Sequence, residues 1–349
     1  MSKVITFAGM LNKIDPAELS KHLGQKPKVL ITMHKGPDGD AIGSSLGLWH
    51  FLKQKGIDAA VVAPDSFPKF LKWLPGCDQI IDCDHHPHRA EKAIHDCDLI
   101  FCLDFNHPSR LGAFEEMVTK SEKPKYVIDH HQDPDEFADQ YYVDSDASST
   151  AEMIYRLAAE MQETDLINAD SAICLYTGLV TDTGSFRFSS VTPQVMQIAA
   201  NLMSTGMDHV KVYNEIYDSS SLDRLKLRGY ALSEKTVVIG DTGAAYISLS
   251  EEELERFNYR SGDTEGLVNY ALSIEGVHVA GFFYERDGYI KISLRSKGEV
   301  EVNKISSALF QGGGHKMAAG GRSDLSLADT VAKFVAVAKA GFHLETIDS

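Results

Sequence analysis

Basic charge is what this chain is shortest of. Its 349 residues carry 34 Lys and Arg against 50 Asp and Glu, a formal net charge of −16. Binding along nucleic acid is driven by phosphate neutralisation, so the deficit argues against a protein that coats long duplex. It leaves open a small phosphate-rich substrate whose charge metal ions could offset. Cysteine is scarce too. Cys77, Cys83, Cys97, Cys102 and Cys174 form no CxxC pair and are odd in number, which predicts buried thiols in a cytoplasmic protein. No apolar run approaches the roughly 18 residues that cross a bilayer. The N-terminus lacks a charged segment followed by an apolar one, so neither a membrane span nor a signal peptide is expected. Internal repeats and low-complexity tracts are absent as well. What remains is 43% hydrophobic and 24% charged, the composition of a soluble globular protein with room for two domains.

Short β-type runs occupy residues 27–33, 59–63, 98–103 and 125–128, with helical patterns at 41–53, 150–161 and 170–180. Gly43, Ser44 and Gly47 would let the first of these helices pack closely on a sheet. Strands alternating with helices predict an α/β fold with a doubly wound, mainly parallel sheet over residues 1–207. Residues 208–235 read as a helical connector. Strand patterns then recur at 236–239, 244–249, 277–284 and 289–294, and helical ones at 250–258, 301–309 and 326–341. The Asp287-Gly288 dipeptide is a strong hairpin signal. Residues 236–349 are therefore expected to form a smaller α+β domain.

Acidic residues cluster where the first-domain strands end. His34, Asp38 and Asp40 surround a Gly-Pro-Asp-Gly turn, Asp104 follows Phe101-Cys102-Leu103, and Asp129-His130-His131 follows Tyr126-Val127-Ile128. Asp182 closes a helical run. Ligands of open α/β sheets bind beyond the carboxyl ends of the strands. A lone Asp in such a place is usually a turn former or helix cap, but the joint pattern is hard to assign to capping. Mixed carboxylate and imidazole donors suit Mn²⁺ or Mg²⁺, and the histidines favour Mn²⁺. Asp104 is the natural bridging ligand, since one carboxylate has two oxygens to share. Four aspartates match the charge of two divalent ions, and a two-metal site makes hydroxide near neutral pH for phosphoester hydrolysis. A second triplet, Asp84-His85-His86, is expected to be a solvated loop.

These residues resemble a known family. HKGPDGDAIGSSLGL at 34–48, CLDFNHPSRLG at 102–112, VIDHH at 127–131, GLVTDTGSFRF at 178–188 and QGGGHKMAAG at 311–320 are similar, in order, to the motifs of the DHH/DHHA1 phosphoesterases. That family includes RecJ exonucleases, family II pyrophosphatases and small nanoRNases. The resemblance implies two Mn²⁺ ions. His34 and Asp38 would bind one, Asp40, His130 and Asp182 the other, with Asp104 bridging. His131 would face the substrate phosphate as a catalytic residue, and Asp129 would orient the histidines. The active site would lie in a cleft between the two domains. The stand-alone nanoRNase and 3′-phosphoadenosine 5′-phosphate phosphatase type fits better than full-length RecJ or the membrane-bound phosphodiesterases, whose additional domains are not evident. A homodimer is implied by the same analogy.

For the substrate side, residues 285–322 hold seven Lys and Arg against four acids, a local excess in an acidic chain. Arg295 follows a strand pattern. Gly312, Gly313, Gly314 and His315 could form a loop that presents N–H groups and an imidazole to an anion. Arg110 is divided between an ion pair and a phosphate contact, and the run Ser148-Ser149-Thr150, with Ser149 at its centre, between phosphate and capping the next helix. The leading expectation is a Mn²⁺-dependent enzyme that cuts short oligoribonucleotides to 5′-mononucleotides and dephosphorylates 3′-phosphoadenosine 5′-phosphate. A phosphodiesterase of cyclic di-AMP or pApA is the alternative in the same class. A non-catalytic nucleotide sensor is the alternative of another class, disfavoured by the intact ligand set. An inorganic pyrophosphatase fits less well, because a GGGH-bearing domain suits an organic phosphate.

Overall fold

The computed structural model describes residues 13–343; the N-terminal segment bearing on a signal peptide lies outside them. The chain divides into two compact units, residues 1–219 and 220–349. In the first, β1 (Val29–Met33), β2 (Ala59–Ala63), β3 (Ile81–Asp82), β4 (Leu99–Leu103), β5 (Lys125–Asp129) and β6 (Gln140–Val143) form one sheet in the order β3-β2-β1-β4-β5-β6. Every pairing in it is parallel. The short edge strands β3 and β6 were not anticipated; each is too brief to carry a period-2 pattern. The helices are α1 (Pro16–Leu23), α2 (Gly39–Gln54), α3 (Pro87–Asp96), α4 (Glu115–Lys120), α5 (Thr150–Glu160), α6 (Ala169–Asp182), α7 (Pro193–Met203) and α8 (His209–Tyr217).

Both faces of the sheet are covered. Val29, Ile31, Met33, Leu99, Phe101 and Leu103 belong to one apolar cluster, Leu30, Ile100 and Cys102 to another. Parallel strands buried on both faces read as continuous apolar runs, which is why VLITM and LIFCL were legible. The small residues of α2 serve a different contact from the one expected. A Cβ on Gly43 would lie 2.5 Å from the Cys174 carbonyl oxygen and 2.9 Å from the Gly178 nitrogen, so this glycine serves the close approach of α2 to α6, while Ala41, Ile42 and Leu46 share the apolar cluster of the sheet. All five cysteines are free and buried, as expected.

The second unit is a mixed six-stranded sheet: β7 (Thr236–Val238), β8 (Ala244–Leu249), β9 (Val279–Arg286), β10 (Tyr289–Ser296), β11 (Gly313–His315) and β12 (Ala318–Ser323), ordered β11-β12-β10-β9-β8-β7. Only β8 and β9 pair in parallel. Its helices are α9 (Leu222–Glu234), α10 (Glu251–Arg256), α11 (Leu267–Leu272), α12 (Val302–Leu309) and α13 (Leu327–Lys339). The expected connector is helical, but α8 falls in the first unit and α9 in the second. The β9–β10 hairpin turns on Asp287 and Gly288, both with positive φ (51° and 80°), as a two-residue primed turn requires.

Candidate metal centre

The sheet register builds the site. The order of strands reverses between β1 and β4, which makes their carboxyl ends the switch point of the sheet. Met33 pairs with Leu103, and Leu103 with Ile128. The next residues along each strand, His34, Asp104 and Asp129, therefore stand side by side at the sheet edge, with His130 and His131 just beyond. Asp104 has a φ of 65°, a left-handed conformation that Asp tolerates better than most residues. Asp38 caps α2, its Oδ1 accepting from the N–H of Asp40 (3.0 Å) and Ala41 (3.1 Å). Asp40 rides on the first turn of α2 and Asp182 is the last residue of α6. The tight α2–α6 contact brings these two helix ends together.

Two donor sets result. His34, Asp38 and Asp104 form one, and Asp40, His130 and Asp182 the other, with the donor atoms of each set within 4.8 Å of one another. Asp104 faces both. Its Oδ2 is 3.5 Å from Nε2 of His34, and its Oδ1 is 3.5 Å from Nε2 of His130. His130 Nε2 is also 3.4 Å from Asp182 and 3.8 Å from Asp40. Two donors each about 2.1 Å from one ion are separated by roughly 3–3.5 Å, so these spacings fit ligands around a cation better than direct hydrogen bonds. Both imidazoles turn Nδ1 to a backbone carbonyl, His34 to Lys35 (2.9 Å) and His130 to Ala147 (3.3 Å). An Nδ1–H held there leaves Nε2 as the coordinating nitrogen.

Asp129 was expected to orient both histidines. It accepts from His131 Nδ1 at 2.7 Å; for His130 that task falls to the Ala147 carbonyl, which no side-chain motif could announce. Thr150, expected only as part of a capping or phosphate-contacting run, instead donates its hydroxyl to Asp104 Oδ1 at 2.9 Å, and sequence reasoning missed Asp65, which accepts the Gly36 N–H at 2.6 Å and so shapes the loop after His34.

The electrostatics are those of crowded acids. Burial, reinforced by the charges of Asp104 and Asp182, pushes the Asp40 carboxyl well above its usual range. Burial likewise lifts Asp182 to about 7, with Asp38 and Asp104 adding to the rise against the pull of His130. Asp104 is also buried, yet the imidazoles of His130, His34 and His131 beside it hold it well below the usual carboxylate range. The imidazoles are raised in turn: burial opposes, but Asp104 and Asp38 together outweigh it at His34, and Asp104, Asp182 and Asp40 do so at His130. Such a group needs cations to keep all its carboxylates charged, and the donor set fits divalent oxygen- and imidazole-seeking ions.

The other expected residues distribute unevenly. Arg110 is half-buried beside the site, its positive charge bearing on His34, and its guanidinium forms no ion pair among the described residues. Ser149 is fully buried and its hydroxyl caps α5 by accepting from Glu152 N–H at 3.0 Å, which is the capping half of its expectation. His85 is 69% exposed and paired to Asp82, so the second triplet is a solvated loop. In the second unit, Gly313 to His315 form an edge strand rather than a flexible loop. A Cβ on Gly312 would lie 2.1 Å from the Gly320 carbonyl oxygen, so backbone packing demands that glycine. Arg295 and His315 both pair with Ala318. Opposed residues share a face of a sheet, so the two lie in one row, two strand spacings or about 10 Å apart.

Against this geometry, a family model described as the N-terminal domain of the DHH family matches residues 28–179, and one described as the DHHA1 domain matches residues 241–343. The bifunctional oligoribonuclease and PAP phosphatase NrnA of Thermus thermophilus is 33% identical over 298 residues, covering 84% of this chain and 83% of that protein. Its Bacillus subtilis counterpart is 28% identical over 304 residues, 87% and 91% of the two chains. The cyclic-di-AMP phosphodiesterase GdpP of Bacillus subtilis is 30% identical over 85% of this chain, which corresponds to 45% of GdpP. Among solved structures, an exopolyphosphatase-related protein from Bacteroides fragilis matches with a TM-score of 0.88 at 38% identity, over 97% of this chain and 98% of that one. RecJ of Thermus thermophilus in complex with Mn²⁺ shares the fold, at a TM-score of 0.52 and 14% identity over 93% of this chain and 54% of RecJ.

Proposed function

Because the chain belongs to the DHH family, we propose that this phosphoester hydrolase uses two divalent ions to cut very short oligoribonucleotides to 5′-mononucleotides, and that it also converts 3′-phosphoadenosine 5′-phosphate to AMP. The observation that carries the chemistry is Asp104, whose two oxygens face two separate donor sets. The likeness to NrnA proteins over most of both chains supports the substrate class.

In this reading His34 and Asp38 would hold one ion, Asp40, His130 and Asp182 the other, and Asp104 both. Mn²⁺ or Mg²⁺ bound there would polarise a phosphoryl oxygen and supply hydroxide near neutral pH. Asp129 fixes the His131 ring through Nδ1, and Nε2 is the atom proposed to meet a substrate phosphate. Arg110, half-buried near His34, would add a positive charge against the same phosphate. Arg295 and His315, with the strand Gly313–His315, would hold a second phosphate of the substrate, so that binding rather than chemistry rests on the second unit.

The likeness to GdpP favours one further reading, hydrolysis of cyclic di-AMP or its linear product pApA. The experiment is turnover by purified protein with Mn²⁺ on a ribodinucleotide, 3′-phosphoadenosine 5′-phosphate, pApA and cyclic di-AMP, comparing kcat/KM. The expected order puts the dinucleotide, pApA and 3′-phosphoadenosine 5′-phosphate ahead of the cyclic compound, and EDTA abolishes all activity. A protein that binds these ligands but turns none of them over is a sensor, and the reading fails.

A further inference from the structure

We propose that Thr150 is a positioning residue for one of the two donor sets, that of Asp40, His130 and Asp182, and that it makes the two sets inequivalent. The proposal rests on the two-metal reading above. Thr150 is the first residue of α5 and has no exposed surface. Its hydroxyl donates to Asp104 Oδ1 at 2.9 Å, and its backbone N–H donates to Asp40 Oδ2 at 2.6 Å. Those are two of the three carboxylate oxygens that face Nε2 of His130, at 3.5 and 3.8 Å, the third being that of Asp182. The neighbouring N–H, of Ala151, holds the other Asp40 oxygen at 2.9 Å. One residue thus fixes an oxygen of each of two carboxylates that converge on the same imidazole. None of its contacts reaches His34 or Asp38.

The hydroxyl is not needed by the helix. Ser149 already caps α5. Threonines inside a helix return their hydroxyl to a carbonyl four residues back, as Thr177 and Thr181 do in α6. At the first helical position no such carbonyl lies in the helix, and the donor goes to Asp104. The backbone N–H groups of this first turn have no partner within the helix, so Asp40 satisfies two of them while they orient it. Partners of metal-binding groups are commonly worth 10–100-fold in metal affinity.

The test is Mn²⁺ binding, followed by calorimetry and electron paramagnetic resonance. Wild type is expected to take two ions per chain with a spin-coupled spectrum. Thr150→Val keeps the shape and the backbone N–H but lacks the hydroxyl. It should bind one ion as before and the second 10–100-fold more weakly, leaving the six-line spectrum of isolated Mn²⁺ at concentrations that saturate wild type. Thr150→Ser should restore the coupled spectrum. If circular dichroism shows that the valine variant does not fold, Thr150→Ala gives the same comparison. Both ions bound as in wild type, or both weakened alike, overturns the proposal. A wild-type protein that binds no pair of ions would instead bring down the two-metal reading itself.

Discussion

At the scale of the residue, Asp104 is the position on which most converges. Asp104→Asn is a cleaner probe than Asp104→Ala, because Asn also tolerates a positive φ and still accepts from Thr150. Activity on pApA should fall by a thousand-fold or more, the loss of several kcal/mol of charge stabilisation, with an unchanged circular dichroism spectrum. Retention of a tenth of wild-type activity would sink the assignment. The two triplets should part company: the double change His85→Ala and His86→Ala should leave turnover and bound Mn²⁺ near wild type, since His85 is largely in solvent, whereas His130→Ala should lose both. The reverse pattern would mean the wrong triplet was chosen. Arg295→Ala or His315→Ala should raise KM for pApA about ten-fold or more, the worth of one charge-assisted phosphate contact, with little change in kcat. Bis-p-nitrophenyl phosphate, which lacks a second phosphate, is the control; an equal loss on it would assign these side chains to the chemical step or to the fold.

At the scale of the element, α2 and α6 carry opposite sides of one donor set, and their distance is set by a missing side chain. Gly43→Ala puts a methyl 2.5 Å from a backbone oxygen of α6, a contact that no rotamer relieves. The helices must separate, at a cost of about 1–3 kcal/mol, and Asp40 and Asp182 should separate with them. Both the urea midpoint and kcat should therefore fall. Gly229→Ala in α9 is the counterpart: nothing lies within 4 Å of its added carbon, and relief of glycine's helix penalty should stabilise by about 0.5–1 kcal/mol. A destabilised Gly229→Ala, or a neutral Gly43→Ala, would contradict this account of the packing.

At the scale of the whole molecule, the crowded carboxylates couple folding to pH. Asp182 titrates at about 7 in the folded chain, against about 3.9 for an unfolded aspartate. Between those values the folded state holds the extra proton, so its stability falls as pH rises. His34 and His130, both raised, act in the same direction above about pH 6.5. Asp104 works the other way, but only below about pH 4. In EDTA, Tm should decline from pH 5 to pH 8, and Asp182→Asn should flatten part of that slope. Because ligands shed protons to bind a metal, Mn²⁺ should raise Tm more at pH 8 than at pH 6. An Asp182→Asn variant with the wild-type slope would remove Asp182 from the explanation.

Much of this was legible along the chain. Donor chemistry, strand alternation and the Asp287-Gly288 turn are local properties, written in residue types and short periods, and the candidate donor residues picked from those patterns do come together at one sheet edge. Contacts made by backbone atoms or across long separations were not legible. The Ala147 carbonyl behind His130, the Thr150 hydroxyl on Asp104, the seating of α2 on α6 and the strand formed by Gly313 to His315 all depend on register and packing. A sequence states which groups are available. Which oxygen faces which imidazole, and which glycine is spent on close approach rather than on a ligand, is decided only when the strands align and the helices touch.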